Sequence, residues 1–248
     1  MQDFESDKER TSCALLLPGE RFDDLQIKGL RIIQNPRLYC FSSDAVLLAD
    51  FTRVRYNETV ADLGTGSGII AFLLAARTKA KLIYGVELQE GLYDTARRSA
   101  EANGLDGRVK IIRGDMREAY KAIGQESCDV VTVNPPYRKE GSGDKSARNE
   151  STRRARHEID IDLQGVIESA ARLLKFGGRL YMIHQSQRLD DIFKCANEHN
   201  IAVKTVRLIQ PTPEKPPHLV LIEGVRGGKS GVKVMAPLII SAKIGNRE

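Results

Sequence analysis

Hydrophobic residues follow two different patterns along this chain of 248 residues. From Thr59 onward, short runs rich in valine, isoleucine and leucine alternate with segments in which apolar residues recur every three or four positions. Strands that are apolar throughout are typical of a sheet buried on both faces, and the intervening helices are the crossovers that parallel strands require. The pattern predicts seven strands, the last two joined by the turn PTPEKPP without a helix between them.

These elements predict an α/β fold with a Rossmann-like, seven-stranded, mostly parallel sheet and helices on both faces. A hairpin between the last two strands makes the final strand antiparallel to the rest. Segment 22–41 mixes short apolar runs with turn formers, which indicates small hairpins. We therefore expect residues 1–50 to form an extension packed on the core and residues 51–248 to form the α/β domain. The helix predicted over 161–175 is expected to end at Gly177-Gly178.

Composition narrows the class of protein. The hydrophobic share of 41% and the charged share of 29% are ordinary for a soluble globular chain. The longest apolar run, Ile69 to Ala76, is far shorter than the roughly 20 residues that cross a bilayer, and the polar start is unlike a secretory signal. We expect a cytoplasmic protein without a membrane partner. No C-x-x-C pair and no metal-ligand spacing of histidines occurs, so we expect reduced thiols and no metal.

Positive charge is concentrated in one segment. The net charge is +5, and the stretch from Arg138 to His157 holds seven basic residues against three acids. Such a segment attracts phosphates by releasing counterions, although a solvated loop has the same composition. The basic residues are Arg138, Lys139, Lys145, Arg148, Arg153, Arg154 and Arg156.

A glycine-rich turn follows the first strand of the α/β region. Asp62 opens the sequence DLGTGSG, and acids also end the second strand (Glu87) and the third (Asp115). Ligands of such sheets gather beyond the carboxyl ends of the strands, so the three acids predict one site for a nucleoside-type cofactor. A dinucleotide fingerprint G-x-G-x-x-G would need glycine where Ile69 stands, which disfavours a nicotinamide or flavin enzyme.

The motifs DLGTGSG (62–68), VEL (86–88), GD (114–115) and NPPY (134–137) resemble those of class I S-adenosylmethionine-dependent methyltransferases. The resemblance implies that S-adenosylmethionine is the cofactor. It places Asp62 near the amino-acid end of the cofactor, Glu87 on the ribose, Leu88 on the adenine, and Asp115 with the backbone of Met116 at the adenine edge. The other residues that it implies at the cofactor are Gly64, Thr65, Gly66, Gly68 and Asn134.

The NPPY motif resembles that of enzymes that methylate a nitrogen on a planar group. The Asn134 side-chain oxygen and the Pro135 carbonyl can each accept one N–H of an amino group and orient its nitrogen toward the methyl group. Pro135 and Pro136 have a fixed φ and no N–H, which keeps the turn stiff. Tyr137 can stack on a base. We expect Asn134, Pro135, Pro136 and Tyr137 to form the catalytic corner, with catalysis by orientation and electrostatics.

A narrower resemblance extends from about residue 20 to 240. The segments FSSDAVLLADF, LLKFGGRLYMIHQSQRL and APLII, together with NPPY and the basic loop, are similar to bacterial tRNA adenine-N6 methyltransferases of the "methyltransferase small" group. This implies a tRNA substrate, an adenine beside the anticodon of a valine tRNA, and phosphate contacts from the basic residues.

Three alternatives stay open at this point. The first is methylation of a glutamine amide in a protein, although such enzymes carry a helical N-terminal domain where this chain predicts hairpins. The second is methylation of a base in ribosomal RNA or DNA, including guanine N2. The third is a module that binds S-adenosylmethionine or RNA without turnover, against which the intact Asn134 and Tyr137 argue.

Overall fold

A computed structural model describes the chain over residues 15–38, 40–135 and 163–240. Its strands are β1 (Arg21–Asp24), β2 (Arg31–Gln34), β3 (Thr59–Leu63), β4 (Leu82–Glu87), β5 (Val109–Arg113), β6 (Cys128–Val133), β7 (Leu174–Gln185), β8 (Ile201–Gln210), β9 (Leu219–Arg226), β10 (Lys233–Val234) and β11 (Leu238–Ile239). Its α-helices are α1 (Ser43–Phe51), α2 (Ile69–Arg77), α3 (Glu90–Ala102), α4 (Ala119–Ile123), α5 (Leu163–Leu173) and α6 (Leu189–Glu198).

One central sheet organises these elements. Its strands lie in the order β5-β4-β3-β6-β7-β9-β8, and the first five run parallel. Strand β9 is antiparallel to both β7 and β8, because the turn after β8 is too short for a crossover helix. The predicted seven-stranded sheet with an antiparallel last strand is therefore confirmed. The short strands β10 and β11 extend it by pairing parallel with β8 at the edge.

The sheet is buried on both faces. On one face, Val60, Val130 and Ile183 pack with helices α1 and α2. On the opposite face, Val131 and Val133 pack with helices α5 and α6. Successive residues of a strand point to opposite faces, so a strand covered on both sides has to be apolar at nearly every position. This arrangement explains the continuous apolar runs in the sequence.

A single row of paired residues marks the carboxyl edge of the parallel strands. Ile112, Val86, Leu63, Val133 and Met182 are successive partners across β5, β4, β3, β6 and β7. The segments that follow these residues therefore leave the sheet at the same level.

The N-terminal hairpin β1–β2 packs on helix α3 and forms a separate two-stranded sheet. The backbone N–H of Ile33 donates to Ser99 Oγ at 2.9 Å, and the N–H of Arg31 donates to Asn103 Oδ1 at 2.9 Å. Arg98 forms a buried ion pair with Glu20, with Nη1 2.6 Å from Oε2. Polar side chains of α3 thus satisfy the backbone of the hairpin and hold it in place.

The glycine pair Gly177-Gly178 has a different role from the one predicted. Helix α5 ends at Leu173, and β7 begins at the next residue. Gly177 has a φ of +78° and lies within an irregularity in the pairing between β6 and β7, where the register shifts between Leu174 and Arg179. A Cβ on Gly178 would lie 2.9 Å from the carbonyl oxygen of Lys175, so glycine permits a close backbone approach inside the strand.

In the part of the chain that the structure describes, no helix combines the length and the apolar character needed to cross a membrane.

Candidate functional site

The turn after β3 adopts a backbone that favours glycine. Gly64, Gly66 and Gly68 have φ angles of +69°, +58° and +92°. The amides of Gly64 and Thr65 both donate to the carbonyl of Val86 on β4, at 2.9 and 3.0 Å. A Cβ on Gly64 would lie 2.8 Å from Met116 Cε, whereas one on Gly66 would meet no atom within 4 Å. The turn is therefore fixed to β4 and leaves open space beside Gly66.

Glu87 connects this turn to the end of β4. Its side chain is buried, with Oε2 accepting from the amide of Gly66 and Oε1 from the amide of Gln89, both at 2.8 Å. A carboxylate oxygen can accept more than one hydrogen bond. Leu88 comes next, and this apolar side chain is 47% exposed.

Asp62 lies beneath the turn, with no exposed surface. Its Oδ2 accepts from Thr65 Oγ1 at 2.6 Å, and its Oδ1 accepts from Thr132 Oγ1 at 2.7 Å. Burial raises the pKa of Asp62 to about 6, and the two hydroxyl donors oppose that rise. In this arrangement both oxygens of Asp62 contact the protein's own hydroxyls.

Asp115 and Met116 begin the segment after β5. Arg117 binds the Asp115 carboxylate through Nε and Nη2, and its hydrogen bonds hold the pKa of that carboxyl below its ordinary value. Asp115 also accepts from the backbone N–H of Arg117 at 2.8 Å and so caps the short 3-10 helix Met116–Glu118. Ser169 of α5 donates to the carbonyl of Met116 at 2.5 Å. This hydrogen bond holds the segment after β5 against helix α5.

The corner after β6 lies beside the glycine turn. Asn134 is half-buried and Pro135 is buried at the end of this central strand. Pro136, Tyr137 and the seven basic residues predicted to bind RNA lie outside the described residues. These roles therefore stay predictions from the sequence.

The structure brings the predicted cofactor residues and the start of the NPPY corner to one edge of the sheet. Three residues that sequence reasoning did not assign to the site also lie there: Thr132, Arg117 and Ser67. Thr132 is a polar residue in the apolar run VVTV, and that interruption was a signal for it. The Ser67 hydroxyl is buried, and no hydrogen-bond partner is found for it among the described residues. Among the residues that the structure describes, no three histidine, cysteine, aspartate or glutamate side chains form a group that could hold a metal ion.

Comparison with known proteins gives the family. The model of the methyltransferase small domain matches residues 41–196. The chain belongs to the methyltransferase small domain family. It is 30% identical over 164 residues to a tRNA1(Val) (adenine(37)-N6)-methyltransferase of Porphyromonas gingivalis, an alignment that spans 65% of this chain and 63% of that relative. It is 29% identical over 181 residues to the protein of that name from Tolumonas auensis, covering 73% of each chain.

This chain has the same fold as solved structures of methyltransferases. A crystal structure of a predicted O-methyltransferase from Agrobacterium tumefaciens superposes with a TM-score of 0.65 at 23% identity. The match covers 80% of this chain and 88% of the other. At this identity the similarity shows the architecture, and the chemistry has to be argued from the site.

Proposed function

We propose that this chain is an enzyme that transfers a methyl group from S-adenosylmethionine to the exocyclic N6 of an adenine in tRNA. One observation carries the proposal. Gly64, Glu87 and Asn134 directly follow Leu63, Val86 and Val133, which are paired in register on adjacent strands. Neighbouring strands lie about 4.8 Å apart, so the glycine turn that we assign to the cofactor lies next to Asn134 and Pro135, the amine corner.

The residues present fit the proposed cofactor. Gly66 leaves open space where a side chain would stand, and the buried Glu87 carboxylate at the end of β4 is the acceptor that we assign to the ribose hydroxyls. Leu88 offers apolar surface for the adenine, and Asp115 with the backbone of Met116 is assigned to the edge of that base. Gly64, Thr65 and Gly68 shape the turn. We assign Asp62 an indirect role, since its oxygens face Thr65 and Thr132.

The amine corner explains the choice of a nitrogen on a planar group. S-adenosylmethionine, when bound, supplies a methyl group on a positively charged sulfur. The Asn134 side-chain oxygen and the Pro135 carbonyl accept the two N–H groups of the adenine, which directs the nitrogen lone pair toward the methyl group. Both acceptors are held by a strand end and a proline, so catalysis comes from orientation in a fixed polar setting. Transfer breaks the bond between the sulfur and the methyl carbon and leaves S-adenosylhomocysteine, and we assign loss of the proton from the methylated nitrogen to water.

A tRNA substrate is supported by the names of the two relatives and by the charge of the chain. Both relatives act, by name, on adenine 37 of tRNA1(Val), and we propose the same target here. The base has to leave its stack to reach the corner, because a stacked amine is out of reach of the methyl group. The seven basic residues of segment 138–156 are proposed to bind phosphates, and the cytoplasm is the proposed location.

Nucleoside analysis tests this function. The purified chain is incubated with methyl-labelled S-adenosylmethionine and total tRNA from a strain that lacks the gene, and the digested tRNA is analysed by mass spectrometry. We expect label in N6-methyladenosine. Asn134→Ala is expected to abolish transfer while retaining cofactor binding, whereas Asn197→Ala, at an exposed position of α6, is a matched control with unchanged transfer.

The outcomes separate the alternatives. Label in another base of RNA changes the target atom, and label in protein moves the substrate to an amide. Cofactor binding without any transfer in the presence of tRNA, ribosomal RNA, DNA and protein would reduce the chain to a binding module.

A further inference from the structure

We propose that Thr132 and Gly85, which lie outside every sequence motif, are positioning residues that hold the glycine turn at a set distance from the amine corner through Asp62. The inference rests on the proposed function, because its readout is cofactor binding.

A buried, hydrogen-bonded bridge joins three segments of the chain. Asp62 on β3 accepts hydrogen bonds from Thr65 in the turn and from Thr132 on β6, at 2.6 and 2.7 Å. Asp62 and Thr132 have no exposed surface, and Thr65 is 3% exposed. Two hydroxyl donors on one buried carboxylate form a rigid link, since removing either leaves buried charge less well satisfied.

Gly85 on β4 lies against the side chain of Thr65. Asp62 is paired in register with Gly85 on β4 and with Thr132 on β6. A Cβ on Gly85 would lie 3.0 Å from both Oγ1 and Cγ2 of Thr65 and 2.9 Å from Cδ1 of Ile111. Glycine at this position therefore lets the Thr65 hydroxyl approach Asp62, and any larger residue would push it away.

The bridge connects the two parts of the proposed site. Thr132 stands two residues before Asn134 on the same strand, and Thr65 lies between two glycines of the turn. The bridge therefore spans from the strand that carries the amine corner to the turn that faces the cofactor. Reactions of this kind are sensitive to the distance between the reacting atoms, so a link that sets this distance affects both binding and turnover.

The experiment compares Thr132→Val and Thr132→Ser. Affinity for S-adenosylhomocysteine is measured by titration calorimetry between pH 5 and pH 8, and the rate of methyl transfer to tRNA is measured at pH 7.5. We expect Thr132→Val, which keeps the shape and removes the donor, to lose about tenfold in affinity at pH 7.5. Thr132→Ser keeps the hydroxyl and is expected to retain most of the affinity.

The pH dependence identifies the bridge itself. Burial raises the pKa of Asp62 to about 6, so we expect the affinity of the unaltered protein to fall as the pH drops through 6. The Thr132 hydroxyl favours the ionised form, and its loss is expected to move this fall to higher pH. The register partners of Asp62 are uncharged, and Glu87, the carboxylate bonded to the same turn, is unchanged in both variants.

A matched control and a second variant complete the test. Thr95→Val removes an equally buried hydroxyl, which donates to Leu92 within α3, and is expected to leave affinity and its pH profile unchanged. Gly85→Ala is expected to weaken binding in the same direction as Thr132→Val, which keeps the proposal testable if one variant folds poorly. An affinity and a pH profile of Thr132→Val and Gly85→Ala equal to those of Thr95→Val would overturn the proposal. Absence of S-adenosylhomocysteine binding by the unaltered protein would refute the proposed function instead.

Discussion

Replacing Glu87 with glutamine is the sharpest perturbation of the proposed cofactor site. Glu87 Oε2 and Oε1 each accept a backbone amide, from Gly66 and Gln89, at 2.8 Å. Glutamine has the same shape and a single acceptor oxygen, so one of these amides would face an NH2 group. The substitution also removes the charge that we assign to the ribose hydroxyls.

The size of the effect follows from these contacts. A hydrogen bond to a charged group contributes about 1.5–3 kcal/mol, and about 1.4 kcal/mol corresponds to a factor of ten in affinity. Loss of the ribose bond alone therefore weakens cofactor binding by roughly 10- to 150-fold. The unpaired backbone amide is also expected to lower the free energy of unfolding by about 1–3 kcal/mol.

Titration calorimetry with S-adenosylhomocysteine measures the affinity, and urea unfolding measures the stability. Glu90→Gln is the matched control, because Glu90 lies three residues away with its side chain 75% exposed. We expect the control to bind as the unaltered protein does. Equal affinities for Glu87→Gln and Glu90→Gln in folded samples would refute the ribose assignment.

Two further predictions concern stability. Arg98→Met removes one partner of the ion pair with Glu20, whose side chains are only 8% and 2% exposed, and we expect urea denaturation to show a loss of about 3–5 kcal/mol. A loss below about 1 kcal/mol would mean that the hairpin does not depend on this pair. Burial lowers the pKa of His184 to about 4, so the folded protein keeps this side chain neutral while the unfolded chain takes up a proton below pH 6.5. Stability is therefore expected to fall by about 2 kcal/mol from this group between pH 7 and pH 5, and His184→Gln should remove that part of the fall in a comparison of unfolding free energies at the two pH values. Parallel pH dependences of the two proteins would contradict this cause.

Much of the site was predictable because parallel strands end at a common edge. The residues after β3, β4, β5 and β6 were expected to meet, and the register row from Ile112 to Met182 shows that these segments leave the sheet together. Local patterns also specified the N-terminal hairpin and the antiparallel last strand. The prediction of a helix end at Gly177-Gly178 is wrong, because a glycine pair is equally compatible with a helix end and with an irregularity in a strand.

The sequence by itself determined the fold class, the order of the elements and the motifs at the strand ends, because hydrophobic period and turn chemistry act over a few residues. Only the tertiary structure decided which polar groups meet. Asp62 and Thr132 are 70 positions apart, and their hydrogen bond depends on the register between β3 and β6. Arg98 reaches Glu20 across 78 positions. Such contacts depend on how whole helices and strands pack together, and a pattern of neighbouring residues does not predict that packing.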